Sequence, residues 1–240
     1  MFEPRKQFFQ SDVFRCFHSL QPTQNLLDDL GLDPSEEEEV GQWFYNDELK
    51  DKDSLDRVLH YSRYAVVLED IQSKFRPEGW SHGRFSDGRW PVLYTAMSPL
   101  TAKKEKVYYL KAFYQEESEE HVQNVELAIS KMTLITHHLV DLSQEKKCDQ
   151  TQLVGSSTKN YEYCRQVAEI CVEAKAQAIR SHSARDQQGY CVPVFDRSII
   201  DKDFYIQSWC KVDFYQGDIR LFEYEPLFLV DDLRRISPEQ

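Results

Sequence analysis

Between Gly83 and Glu105 the chain reads GRFSDGRWPVLYTAMSPLTAKKE, and this stretch constrains the fold more than any other. Residues 91–96 (PVLYTA) are β-branched, aromatic and apolar, which predicts a strand. Ser98-Pro99 follows at once. Serine is a preferred N-cap and proline a preferred first helical residue, so a helix starts here and runs to about Tyr114. A loop, a strand and a capped helix therefore succeed one another with almost no slack. Arg84 falls on the loop, Tyr94 on the strand, and Glu105 two turns into the helix.

The rest of the chain alternates in kind. Residues 13–18 (VFRCFH) read as a short strand. Pro34-Ser35 before Glu36–Glu39 reads as a helix start, with carboxylates at the positive end of the dipole. The charged run 47–54 reads as a loop or boundary. Leu55, Val58, Leu59, Ser62 and Val66 then recur at helical spacing. Residues 76–83 form a loop, and 132–142 (MTLITHHLVDL) alternate like a strand. Ser157 or Thr158 caps a helix predicted to run through Ala178, its apolar stripe being Tyr161, Cys164, Ala168, Cys171 and Ala174. Strands are predicted at 190–195, 208–215 and 220–224. The expected fold class is α+β, with a twisted, largely antiparallel sheet and flanking helices.

Charge narrows the function. Lysine and arginine total 29 against 41 aspartates and glutamates, a net charge of −12. That balance counts against a broad nucleic-acid footprint and against anionic membrane surfaces. It leaves room for a few arginines gripping a phosphate. The six cysteines form no CxxC pair, which predicts free thiols in a reducing cytoplasm. The first residues carry no apolar signal region, and the longest clean apolar run, Ala65 to Leu68, falls far below the ~20 residues a membrane span needs. A cytoplasmic protein is expected.

The familiar catalytic motifs are absent. There is no GxxxxGK[ST], GxGxxG, GxSxG or HExxH. His137 and His138 are adjacent in a predicted strand, where neighbours face opposite sides, so no metal is expected there. What remains is the Gly83–Glu105 stretch and a second piece far downstream: Ser183-Ala184-Arg185, then Gly189, then Val194-Phe195.

Taken together and in order, these pieces resemble the RES-domain family. Gly83-Arg84-Phe85, Tyr94-Thr95-Ala96, Ser98-Pro99, Thr101-Ala102 and Glu105 match its first core pattern. Ser183-Ala184-Arg185, Gly189 and Val194-Phe195 match its distal element. Val13-Phe14-Arg15 matches its opening strand, so the resemblance spans roughly residues 13–225. The stretch between that strand and Arg84 is longer than in compact members and holds Ser62-Arg63-Tyr64, so the early arginine is Arg15 or Arg63. The resemblance implies one domain overall: an N-terminal strand and helical arm over 1–53, with the first core strand near 13–18, and a RES-type catalytic core over 54–240.

It further implies an ADP-ribosyltransferase-like fold and an enzyme that takes NAD as substrate, cleaving the nicotinamide–ribose bond by water or by inorganic phosphate, with no metal. Such proteins are often toxins restrained by a cognate antitoxin. Arg15 or Arg63, with Arg84, would bind the diphosphate, since planar guanidinium groups do so bidentately. Tyr94 would stack on the nicotinamide. Glu105 would hold the ribose 2-hydroxyl and stabilise an oxocarbenium-like state. Ser183 would hydrogen-bond the amide or ribose, and Arg185 would be a second anion contact. Two other readings stay open: a protein ADP-ribosyltransferase, which Lys103 and Lys104 before Glu105 disfavour, and a non-catalytic NAD- or partner-binding module. Each residue also has a plain reading. Glu105 would be a surface i,i+4 pair, Tyr94 core packing, and Arg84 a solvated loop residue. Residues 26–32 and 227–233 are candidate surfaces for self-association.

Overall fold

A computed structural model describes residues 2–18, 52–117, 122–215 and 218–224 of the chain, with side chains over 2–18, 64–111 and 125–212. The helix start near Ser35 and the candidate surfaces at 26–32 and 227–233 lie outside the described residues.

Seven strands form one sheet, in the order β1-β2-β5-β4-β3-β6-β7 with a further β1–β3 pairing. They are β1 (Lys6–His18), β2 (Leu93–Ala96), β3 (Val122–Asp141), β4 (Ala178–His182), β5 (Tyr190–Val194), β6 (Tyr205–Tyr215) and β7 (Asp218–Tyr224). Every pairing is antiparallel except β3–β4. The extra pairing makes the strands β1, β2, β5, β4 and β3 a closed ring, from which β6 and β7 extend. The ring is weakest between β1 and β2, which meet only at Phe14 and Ala96. Long β3 is the spine: its first half pairs with β6 and its last residues with β4, while β1 runs along its other edge.

Among the described residues four α-helices flank the sheet: α1 (Lys52–Phe75), α2 (Pro99–Glu117), α3 (Gln150–Val154) and α4 (Thr158–Glu173). Val67 and Ile71 of α1 pack on Phe9, Val13, Leu93 and Met132 in the largest core cluster. Cys164, Val167, Ala168 and Cys171 of α4 pack on Phe85, Trp90, Ile179 and Phe195. Ala102 and Leu110 of α2 cover Cys16, Leu127 and Ile129. All six cysteines are free thiols. Among the described residues no helix is long and apolar enough to cross a membrane.

Both capped helix starts predicted within the described residues are present. Ser98 Oγ accepts from Thr101 N at 3.1 Å. Ser157 and Asn160 form a reciprocal capping box, worth about 1 kcal/mol. Three expectations are corrected. Of the loop or boundary predicted over 47–54, residues 47–51 lie outside the described residues and 52–54 are helical, in α1. The helix expected to reach Ala178 stops at Glu173, and residues 178–182 form β4 instead. The helix-friendly run Ala174-Lys175-Ala176 is overridden because Lys175 takes a left-handed φ of 60° and Gln177 N donates to His138 O on β3. The strand at His137 and His138 is not the regular ladder expected: the register shifts opposite Gln7–Phe9, and both residues are exposed.

Candidate active site

A cavity of about 290 Å³ opens where β1 and β2 barely meet, at the lower end of the size range for small-molecule sites. Its walls come from Phe14–Cys16 of β1, His82–Phe85 of the following loop, Tyr94–Ala96 of β2, and Glu105, Lys106 and Tyr109 of α2. Ser181, His182, Ala184 and Cys191 close the far side.

The loop before β2 sits hard against Tyr94. Phe85 N donates to the Tyr94 hydroxyl at 3.1 Å. A Cβ on Gly83 would lie 2.3 Å from that hydroxyl oxygen, so only glycine lets the loop approach. Burial pushes the Tyr94 phenol up to about 12, so it stays protonated at neutral pH.

Glu105 is fixed by one oxygen. Its Oε1 accepts from Ser183 Oγ at 2.5 Å, Ala184 N at 3.2 Å and Cys191 Sγ at 3.5 Å. Among the described residues Oε2 takes no hydrogen bond. Ser183 is itself locked, its Oγ accepting from Arg185 N at 3.1 Å and Asp186 N at 3.0 Å. The loop after Ser183 is tied to α2 by Asp186, which accepts from Thr101 Oγ1 at 2.7 Å and Lys104 Nζ at 2.9 Å. Gly189 permits this fit, since a Cβ there would lie 2.4 Å from Thr101 Oγ1. Burial and the Glu105 charge push the Cys191 thiol well above the usual range, which disfavours the thiolate.

The arginines differ in kind. Arg15 grips Asp70 of α1 side-on, Nε to Oδ2 at 2.5 Å and Nη2 to Oδ1 at 3.0 Å, and Nη1 donates to Tyr94 O at 3.1 Å. Three of its five N–H groups are thus used. Arg84 is only 7% exposed. Its Nη1 donates to Leu153 O at 2.9 Å and Gly155 O at 2.8 Å, and its guanidinium lies over the Tyr161 ring. Its Nη2 is buried without a hydrogen-bond partner among the described residues. Arg84 is not the solvated loop residue of the plain reading.

The fold therefore brings Arg15, Arg84, Tyr94 and Glu105 onto one cavity and places Ser183 directly behind Glu105. Arg185 stands aside, stacked on Tyr108 and donating to Ser156 Oγ at 2.8 Å. Arg63 lies on α1, with its side chain outside the described residues. Among the described residues no His, Cys, Asp and Glu cluster could hold a metal. Sequence reasoning missed Asp70, Lys106, Tyr109, Cys191 and Asp186. Only Lys106 carried a local signal, as the residue after Glu105.

The RES-domain family model matches residues 54–210. The chain belongs to the RES-domain family. The matched region of this RES domain holds Arg84, Tyr94, Glu105 and Ser183, and it begins after Arg15, which β1 nevertheless carries into the same cavity. No curated protein matches the chain. Among solved structures, one that is similar is the M. tuberculosis MbcT–MbcA toxin–antitoxin complex, with 12% sequence identity and a TM-score of 0.43 over 96% of this chain and 92% of that chain.

Proposed function

We propose that this RES domain consumes NAD by cleaving its nicotinamide–ribose bond, passing ADP-ribose to water or to inorganic phosphate. The observation that carries this reading is the Glu105 carboxylate. One oxygen is held by three donors and the other takes no hydrogen bond among the described residues, on a cavity whose walls also bear Arg15, Arg84 and Tyr94. Cleaving an N-glycosidic bond builds positive charge on the ribose. A fixed carboxylate beside the ribose 2-hydroxyl stabilises that charge without having to reorganise. Arg15 is the early arginine of the site, since it lines the cavity and keeps two N–H groups to give a diphosphate. The Tyr94 ring offers an aromatic wall to the flat nicotinamide.

The same family membership supports a toxin held by an antitoxin. With a net charge of −12, such a partner would meet this protein with a basic or apolar face.

The test is NAD loss by purified protein with chromatography of the products. Wild type should release nicotinamide, and Glu105→Gln should be slower by about 10²–10³. Free ADP-ribose marks hydrolysis, and a phosphate-dependent ADP-ribose 1-phosphate marks phosphorolysis. Label fixed on protein would instead mark protein modification. A Glu105→Gln protein as fast as wild type would sink the assignment.

A further inference from the structure

Among the described residues two arginines and one lysine line the cavity, and both arginines are already committed to the protein. Arg15 is neutralised by Asp70 in a side-on pair whose side chains are both only 12% exposed. Arg84 spends Nη1 on the carbonyls that end α3 and is itself buried. The third is Lys106, the residue after Glu105. Among the described residues it makes neither a hydrogen bond nor an ion pair.

We propose that Lys106 is a further anion-binding residue of this cavity, beside Arg15, and that it takes a phosphoryl group. This deepens the NAD-cleaving reading and rests on it for the choice of ligand. The physical case is one of charge balance. Lys106 is largely withdrawn from water beside Arg15 and Lys74, with Asp70 the nearby carboxylate, and Asp70 already serves Arg15. A half-buried ammonium next to a second cation is poorly compensated, and its proton is correspondingly loosened, first by burial and then by the Arg15 charge. An entering phosphoryl group reverses both effects, because it supplies the missing counter-charge where water is scarce. The chain's acidic character sharpens the point: a local surplus of positive charge inside a protein of net charge −12 attracts anions to one place. Lysine also suits the role mechanically. Arg15 and Arg84 are fixed in wall contacts, whereas a four-carbon stem can follow a phosphoryl group as it binds.

Two sources share this chemistry: the diphosphate of a dinucleotide and free inorganic phosphate. Calorimetric titration separates them. ADP-ribose, which carries the diphosphate without the nicotinamide, and inorganic phosphate are each titrated into wild type, Lys106→Gln and Lys106→Arg. The expected result is at least about tenfold weaker binding of one of them to Lys106→Gln, with most of the affinity restored in Lys106→Arg. Weakened ADP-ribose binding alone assigns Lys106 to the diphosphate, and weakened phosphate binding alone assigns it to the co-substrate. Equal affinities in Lys106→Gln and wild type, at matched Tm, overturn the proposal, as does a wild type that binds neither anion. The titrations need no turnover. If the protein binds the anion through Lys106 yet leaves NAD intact, the catalytic reading fails and the anion site stands.

Discussion

Removing one oxygen atom, by Ser183→Ala, isolates what holds Glu105 in place. Ser183 is 5% exposed, so no water replaces the lost hydroxyl freely. Its 2.5 Å bond is the shortest of the three on Glu105 Oε1. Hydrogen bonds to a charged group contribute about 1.5–3 kcal/mol. If that is the stabilisation withdrawn from the catalytic position of the carboxylate, kcat falls by roughly 10–150-fold. The hydroxyl also accepts from Arg185 N and Asp186 N, and leaving those donors short costs about 2 kcal/mol of stability. For a chain of this size that is a fall of roughly 4–8 °C in Tm. The assay is steady-state nicotinamide release together with thermal unfolding. Because Ser183 acts through Glu105, the loss should appear in kcat with little change in KM. It should also vanish in a Glu105→Gln background, where there is no carboxylate left to position. A Ser183→Ala enzyme with wild-type kcat refutes the reasoning, and so does an undiminished loss on top of Glu105→Gln.

Two further outcomes follow from the same geometry. Asp70→Asn strips the partner from a guanidinium that is only 12% exposed, and should cost about 3 kcal/mol in chemical denaturation. The Arg15→Gln/Asp70→Asn double variant should be less destabilised than the sum of the singles, and strict additivity would show that the pair is not coupled. Asp186 is held below the ordinary carboxylate range by its bonds from Lys104 and Thr101. A depressed folded-state pKa contributes stability above the unfolded value of about 3.9, and that contribution is lost as pH falls through the folded value. The acid limb of a stability–pH curve should therefore be shallower below about pH 4 for Asp186→Asn than for wild type. Parallel acid limbs would mean that the Asp186 tie is not formed in solution.

How much of this was legible in the sequence depended on the range of the interaction. Caps are local. Ser98-Pro99 and Ser157 announce their helices within four residues, and both caps are formed. The break after Glu173 is not local. Ala174-Lys175-Ala176 favours helix by propensity, and what ends it is a strand elsewhere: Gln177 is claimed by His138 O on β3, and its own carbonyl accepts from Phe195 N. The parallel β3–β4 pairing that results could not be read from either segment alone. The same logic divides the site. Gly83, Tyr94 and Glu105 stand in one continuous strand–turn–helix pattern, so their order was visible. Ser183 lies 78 residues from Glu105, and only the resemblance to a family joined the two before the 2.5 Å bond did.

The arginines carry the deeper lesson. A planar guanidinium in a predicted cleft invites the reading of a phosphate clamp, because sequence displays the fork and hides its partner. Asp70 is 55 positions from Arg15, on a helix whose periodicity marks it as an ordinary polar residue. Once that carboxylate is in place, Arg15 ties α1 to β1 and β2 as well as lining the cavity. Arg84 likewise holds the end of α3 and the start of the loop into α4. Both arginines thus build the wall before they touch any ligand. A phosphorylated ligand would gain further from a cation with no protein partner among the described residues. Lys106 is that cation, and it stands one residue past Glu105, about 100° around the same helix. On the proposed reading a single helix, α2, offers a carboxylate held in place by Ser183 and, one residue on, an ammonium on a stem long enough to adjust to a phosphoryl group.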